Sequence, residues 1–118
     1  MGGGWVLYEV IKLVVMRPRP ANCLISTAGW SFPSGHATMA TIFFLLLVYL
    51  HRVKTFNIIK EALLLSIVIL LILLVGISRI YLGVHWLSDV FGGYALGSVW
   101  VIILALIHNR LNVQKSNK

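Results

Sequence analysis

Two apolar runs decide the fold: "ALLLSIVILLILLVGI", Ala62–Ile77, and "VFGGYALGSVWVIILALI", Val90–Ile107, sixteen and eighteen residues without a charge. Between them lies "SRIYLGVHWLSD", Ser78–Asp89, which holds an Arg, a His and one of only three acidic residues in the 118-residue chain. A transmembrane helix needs roughly 20 mostly apolar residues, with about 17 as the lower limit. Val90–Ile107 meets this directly, and Ala62–Ile77 meets it once Ile58, Ile59, Lys60 and Glu61 sit at the interface. Upstream, Ala21 to Leu50 contains no Asp, Glu, Lys or Arg, so the apolar stretch Ala37–Leu50 extends back to a helix start near Pro33. Trp5–Met16 is shorter and carries Glu9 and Lys12, so it reads as the end of a span. The expected architecture is all-α: a multi-pass transmembrane bundle of about three full spans plus a partial N-terminal helix.

Composition supports lipid as the solvent. The chain is 59% hydrophobic and 11% charged, with a mean hydropathy of +0.94, whereas soluble domains carry about 25% charged residues. The start, "MGGGWVLYEV", lacks the basic segment and small-residue cleavage site of a signal peptide. The single Cys23 excludes an internal disulfide framework. A net charge of +7 raises nucleic acid as a partner, but the basic residues lie in short clusters between apolar runs, without a basic face or aromatic platform. Membrane lipids with anionic head groups are the better partner.

Three connections separate the apolar segments. The first, "MRPRPANCLISTAGWSFPSGH", is long and rich in Pro, Gly and Ser; the second, "HRVKTFNIIKE" (51–61), is short and basic; the third is Ser78–Asp89. Each span reverses the side, so the first and third share one membrane face, and the second shares the other with the tail, "HNRLNVQKSNK". Arg52, Lys54, Lys60, Arg110, Lys115 and Lys118 lie on that second face, against Lys12, Arg17, Arg19 and Arg79 on the first. The positive-inside rule then makes the 51–61 loop and the tail cytoplasmic and turns the other face outward.

The outward connections hold the residues with chemical potential. His85 and Asp89 are four apart, so a helix starting near His85 stacks them on one face. An Asp beside a His fixes the ring tautomer and leaves the far nitrogen free, and Arg79 supplies a fork suited to phosphate oxygens. The competing reading is an Arg79–Asp89 structural ion pair with His85 as an interfacial side chain. "FPSGHAT" places Ser34, Gly35 and His36 at a helix start, where unpaired N–H groups and the dipole seat an anion; the alternative is a Ser cap with a surface His. "KLVVMRPRP" adds Lys12, Arg17 and Arg19, which alone would read as charge gripping head groups. Together they provide what displacement at phosphorus needs: cations for the equatorial oxygens, one His to attack and another to protonate the leaving oxygen. Carboxylates are too few for a two-metal site, and a zinc site from His36 and His85 lacks obvious further ligands.

These residues closely resemble the three-part signature of the type 2 phosphatidic acid phosphatase superfamily, integral-membrane lipid phosphate phosphatases related to vanadium haloperoxidases. Lys12 to Arg19-Pro20 matches its first element, Pro33–His36 its second, and Ser78-Arg79, His85 and Asp89 its third. The resemblance implies His85 as the nucleophile of a phosphohistidine intermediate, Asp89 as its orienting partner and His36 as the general acid. Lys12, Arg19, Arg79, Ser34 and Gly35 would bind the phosphoryl oxygens, with no metal and no cofactor. Arg17 lies outside the pattern and reads as a head-group contact or surface charge. Family members carry further spans before the first motif, so the chain resembles the family's C-terminal part, a single membrane-embedded phosphatase domain over residues 1–118 without those N-terminal helices.

The implied function is metal-independent hydrolysis of a lipid phosphate or diphosphate (an isoprenyl diphosphate, phosphatidylglycerol phosphate or phosphatidate) at the outer face of the plasma or inner membrane. The alternative is a relative that binds lipid phosphate without turnover, or an accessory membrane subunit. A transporter using His36, His85 and Asp89 is disfavoured because transport sites lie near the membrane midplane. Trp30, Trp86, Trp100, Tyr81 and Tyr94 read as interfacial belts or packing residues, Gly93 and Gly97 as a close helix contact, and His51 and His108 as interfacial side chains.

Overall fold

The computed structural model describes residues 2–54 and 57–116. It contains four helices: α1 (Gly2–Val15), α2 (Gly35–Lys54), α3 (Ile58–Tyr81) and α4 (Leu87–Ser116). No strand occurs among the described residues. Helix α1 ends where Met16 turns into the left-handed region (φ 46°), its N–H bonding Lys12 O at 3.1 Å. Pro18 and Pro20 then prevent helix from resuming. Helix α3 starts on Asn57, whose side chain accepts the Lys60 N–H, a side-chain cap of the usual kind. It ends at Tyr81, and the chain turns away from the helix at Gly83, with φ +67°.

Helix α2 is the centre of the bundle, with α4 against one side, α3 against another and α1 crossing its start. The α2–α4 seam is set by small residues. A Cβ on Gly93 would sit 2.7 Å from Ser34 O, and one on Gly97 2.7 Å from Thr41 Cβ. The backbones therefore approach closely, as the Gly93–Gly97 spacing predicts. Thr38 and Thr41 lie buried in that seam, and their hydroxyls bond their own helix at Ser34 O and Ala37 O, leaving no unpaired group. Tyr94 crosses to α3, where its hydroxyl donates to Ile72 O at 3.1 Å. Trp100 covers Gly3 and Gly4 of α1. Tyr94 and Trp100 are thus packing residues, as expected, while Trp86 turns out to have a role at the site.

The outer surface is apolar. On α3 only Val68, Ile72 and Gly76 are buried, while residues such as Ile59, Leu63 and Ile77 are more than half exposed. Such a face suits hydrocarbon, which solvates it, and every main-chain group inside a helix is paired internally. Among the described residues, α3 and α4 are long and apolar enough to cross a membrane. Two boundaries differ from the sequence expectation. The 51–61 segment is mostly helix, because α2 runs to Lys54 and α3 begins at Ile58, with Arg52 Nε 3.3 Å from Glu61 Oε2 across the gap. Residues 55 and 56 of that segment, and Lys118 of the tail, lie outside the described residues. The tail from His108 to Ser116 continues α4, since it holds no Gly or Pro to stop the helix.

Candidate functional site: a charged cluster where two connections meet

The long first connection folds back over the α3–α4 turn. Leu24 N–H bonds Leu82 O at 3.0 Å, and Ser34 N–H bonds Asp89 O at 2.9 Å. Cys23 Sγ donates to Gly83 O at 3.1 Å, and Trp86 Nε1 to Pro18 O at 3.1 Å. Gly83 permits the contact: a Cβ there would lie 2.6 Å from Asn22 O. These bonds join residues about 60 positions apart, and they draw the first and third motif clusters together.

Asp89 is the anchor. It is fully buried and lies in the first turn of α4, where a carboxylate is favoured by the helix dipole. Oδ2 accepts the Trp86 N–H at 2.8 Å, reaching back to the residue before the helix as a capping-box side chain does. Oδ2 also accepts a short bond from the Ser31 hydroxyl. Oδ1 is paired with Arg17 Nη1 at 2.9 Å, and Arg17 lies over the Trp86 ring, 5.6 Å from its centroid. The side chain that neutralises Asp89 is thus Arg17, contrary to its reading as surface charge and to the alternative Arg79–Asp89 pair. Arg79 instead donates from Nε to Ser78 Oγ at 3.1 Å. The alternative pairing with Arg79 rests on nearness in sequence, whereas Arg17 is 72 residues away from Asp89 and no local pattern joins them.

His85 is 6% exposed. It precedes α4 by two residues, so its link to Asp89 is not a regular helical stack. Its Nδ1 lies 3.7 Å from Asp89 Oδ2 and 3.5 Å from Ser31 Oγ. Ser31 therefore bridges the two, accepting from Nδ1–H while donating to the carboxylate. On the other edge of the ring, Nε2 is 3.4 Å from Arg19 Nη1. Arg19 is fixed by Val84 O (2.8 Å), Gly29 O (3.0 Å) and Ala28 O (3.2 Å). Burial, with the Arg19 charge adding to it, lowers the His85 pKa from 6.5 to about 4; Ser31, Asp89 and Lys12 contribute smaller opposing or reinforcing effects. The ring is neutral at physiological pH, and a proton on Nδ1 leaves the Nε2 lone pair free.

The remaining expected residues gather at the same place. Lys12 is held by a short bond to the Tyr8 hydroxyl and is close enough to His85 to act on its charge. His36, exposed at the start of α2, lies within range of the Arg79 and Arg19 charges. Ser34 is wholly buried at the start of α2, with no partner for its hydroxyl among the described residues. Gly35 is needed for packing too, since a Cβ would stand 2.9 Å from Tyr8 Oη. Sequence reasoning missed Ser31, Tyr8 and the role of Arg17. Only Tyr8 had a local signal, its i,i+4 spacing from Lys12.

Comparison with known proteins bears on this arrangement. The family model described as the PAP2 superfamily matches residues 1–112. Phosphatidylglycerophosphatase B of Bacillus subtilis is 37% identical over 94 residues, covering 78% of this chain and 46% of that protein. An undecaprenyl-diphosphatase of Sulfolobus acidocaldarius is 34% identical over 110 residues, covering 86% and 48%. The chain thus spans about half the length of the curated relatives it matches. The crystal structure of a transmembrane PAP2-type phosphatidylglycerolphosphate phosphatase from Bacillus subtilis superposes with a TM-score of 0.82 at 32% identity, covering 92% of this chain and 55% of that one.

Proposed function

Because the chain belongs to the PAP2 superfamily, we propose that it hydrolyses a lipid phosphate or diphosphate through a phosphohistidine intermediate at a membrane–water interface. The observation that carries this reading is Arg19 of the first connection, 3.4 Å from Nε2 of a buried, neutral His85 in the third. A cation beside the free nitrogen of a nucleophile is where the equatorial oxygens of a phosphoryl group need charge.

In this mechanism Arg19, Arg79 and Lys12 hold the phosphoryl oxygens, joined by the Ser34 hydroxyl and the Gly35 N–H. His85 Nε2 forms the N–P bond while the P–O bond to the leaving group breaks, its electron pair going to the leaving oxygen. His36 gives that oxygen a proton. Ser31 and Asp89 hold the Nδ1–H side of His85 and stabilise the positive ring, and Arg17 holds Asp89 in place. Water then attacks the phosphohistidine, His36 takes its proton, and phosphate and free His85 are restored. All charge is met by side chains and main-chain N–H groups, so the reaction is read as metal-independent.

The bundle is read as a multi-pass plasma- or inner-membrane protein in which α2 joins α3 and α4 as a third span and α1 is partial. The site faces outward, with the α2–α3 connection and the end of α4 cytoplasmic. In the domain reading, residues 1–118 correspond to the family's C-terminal part. The test is phosphate release from a lipid phosphate in chelator, with the phosphate trapped on the protein examined for being both acid-labile and alkali-stable, as a phosphohistidine is. Wild type is expected to turn over and to trap phosphate on His85, and His85→Ala to do neither. Normal release by His85→Ala would sink the mechanism, and lipid-phosphate binding without release by wild type would replace hydrolysis with binding.

A further inference from the structure

Beside the site, a groove of about 410 Å³ runs between α1 and the start of α2, lined by Trp5, Tyr8, Glu9, Gly35, His36 and Met39. Its volume is in the range of small-molecule pockets. It contains His36 but none of His85, Asp89, Arg17, Arg19 or Arg79. Tyr8, buried against Gly35, fixes the register of α1, so that Glu9, the next residue, faces the groove. Glu9 is half-buried and makes no ion pair among the described residues.

In-line displacement puts the leaving oxygen opposite the attacking nitrogen. If His36 protonates that oxygen, the atoms attached to it lie on the His36 side, in this groove. We infer that the groove is the leaving-group subsite and that Glu9 is a specificity-determining residue, selecting phosphomonoesters of a hydroxylated alcohol over diphosphates. The inference rests on the function proposed above. The chemistry is a matter of sign. A diphosphate leaves as a phosphate monoester, whose charge of about −2 would develop next to the Glu9 carboxylate. A glycerol-like leaving group is neutral there, and its hydroxyl can donate to the same carboxylate. Trp5 and Met39 supply apolar walls for the carbon skeleton beyond it.

The experiment compares kcat/KM of the full chain in detergent for short-chain phosphatidylglycerol phosphate, short-chain phosphatidate and farnesyl diphosphate, in wild type and Glu9→Gln. Wild type should prefer the glycerol-linked monoester. Glu9→Gln should raise farnesyl diphosphate turnover about tenfold relative to phosphatidate, mainly through kcat, because the leaving phosphate's charge develops in the transition state and one like-charge contact of this kind is worth about 1.4 kcal/mol. It should also narrow the advantage of phosphatidylglycerol phosphate over phosphatidate, which reports the hydroxyl contact. If wild type turns over and the ratios stay within about twofold in Glu9→Gln, the inference is wrong while the proposed function stands. If wild type turns over none of the three, equilibrium binding of the same lipids reads the same preference, and equal ratios in both proteins overturn the inference.

Discussion

Two histidines at opposite ends of the α2–α4 pair have contrasting surroundings. His85 is buried against Asp89, Ser31 and Arg19, and all but Ser31 bring charge. His108, at the far end, accepts or donates at 2.7 Å with the Tyr49 hydroxyl, packs edge-on to that ring and meets Asn112 Nδ2 at 3.2 Å. Every one of those partners is neutral. Both rings are oriented by hydrogen bonds, yet only His85 has a buried carboxylate behind it and a guanidinium in front. These opposite charges on its two edges come from connections far apart in the chain, and the proposed mechanism draws on that difference.

Four experiments break or sharpen that contrast. The largest effect belongs to the rings themselves. His85→Ala should lower phosphate release by on the order of 10⁴-fold, as loss of a nucleophile does, while His108→Ala should stay within about threefold. Equal losses at both ends would erase the distinction. Next is the seam that holds the two ends in register. Gly93→Val forces a side chain against Ser34 O and should cost about 3 kcal/mol of thermal stability, the upper range for overpacking. Ala62→Val on the exposed face of α3 should change it by less than about 0.5 kcal/mol.

Arg17→Ala comes third. It leaves the buried Asp89 without its charged partner, and kcat should fall about 10–100-fold (roughly 1–3 kcal/mol) with KM little changed. Arg17→Lys should recover part of that loss. A change confined to KM would mean that Arg17 holds head group rather than Asp89. The smallest effect is on pH dependence. The native His85 ring stays neutral to about 4, whereas the unfolded ring takes a proton near 6.5. Between these values the unfolded state binds more protons, so stability rises with pH and is lost as pH falls from about 6.5 to about 4. Allowing for solvent screening, the loss should be on the order of 1 kcal/mol by thermal melts. His85→Gln should flatten that slope and His108→Gln should leave it.

Much of the bundle was readable from local pattern. Apolar run length placed the cores of α2, α3 and α4, and the Pro-Ser-Gly-His stretch marked the start of α2 within a residue or two. The first connection, read from Met16 on, begins where α1 ends at Val15. Helices α2 and α4 run beyond their apolar runs, to Lys54 and Ser116, because Lys, Arg and Gln extend helices readily. Lys12, Arg19, Ser34, Gly35, His36, Arg79, His85 and Asp89 could be named because each sits in a short motif whose chemistry is recognisable from neighbours in sequence.

What the sequence determined by itself is therefore periodic and local: which segments are helical, that their faces are apolar enough for lipid, and which short motifs match the signature of the PAP2 superfamily. Only the tertiary structure decided how the charges are shared. It gave Asp89 to Arg17 instead of Arg79, set Ser31 between His85 and the carboxylate, and put Glu9 in the groove beside His36. The physical reason is distance along the chain. Helix formation and capping depend on residues three or four apart. The Asp89 contacts to Ser31 and Arg17 span 58 and 72 residues, and such pairs exist only once Gly93 and Gly97 let α4 close on α2 and Gly83 lets the first connection settle on the turn.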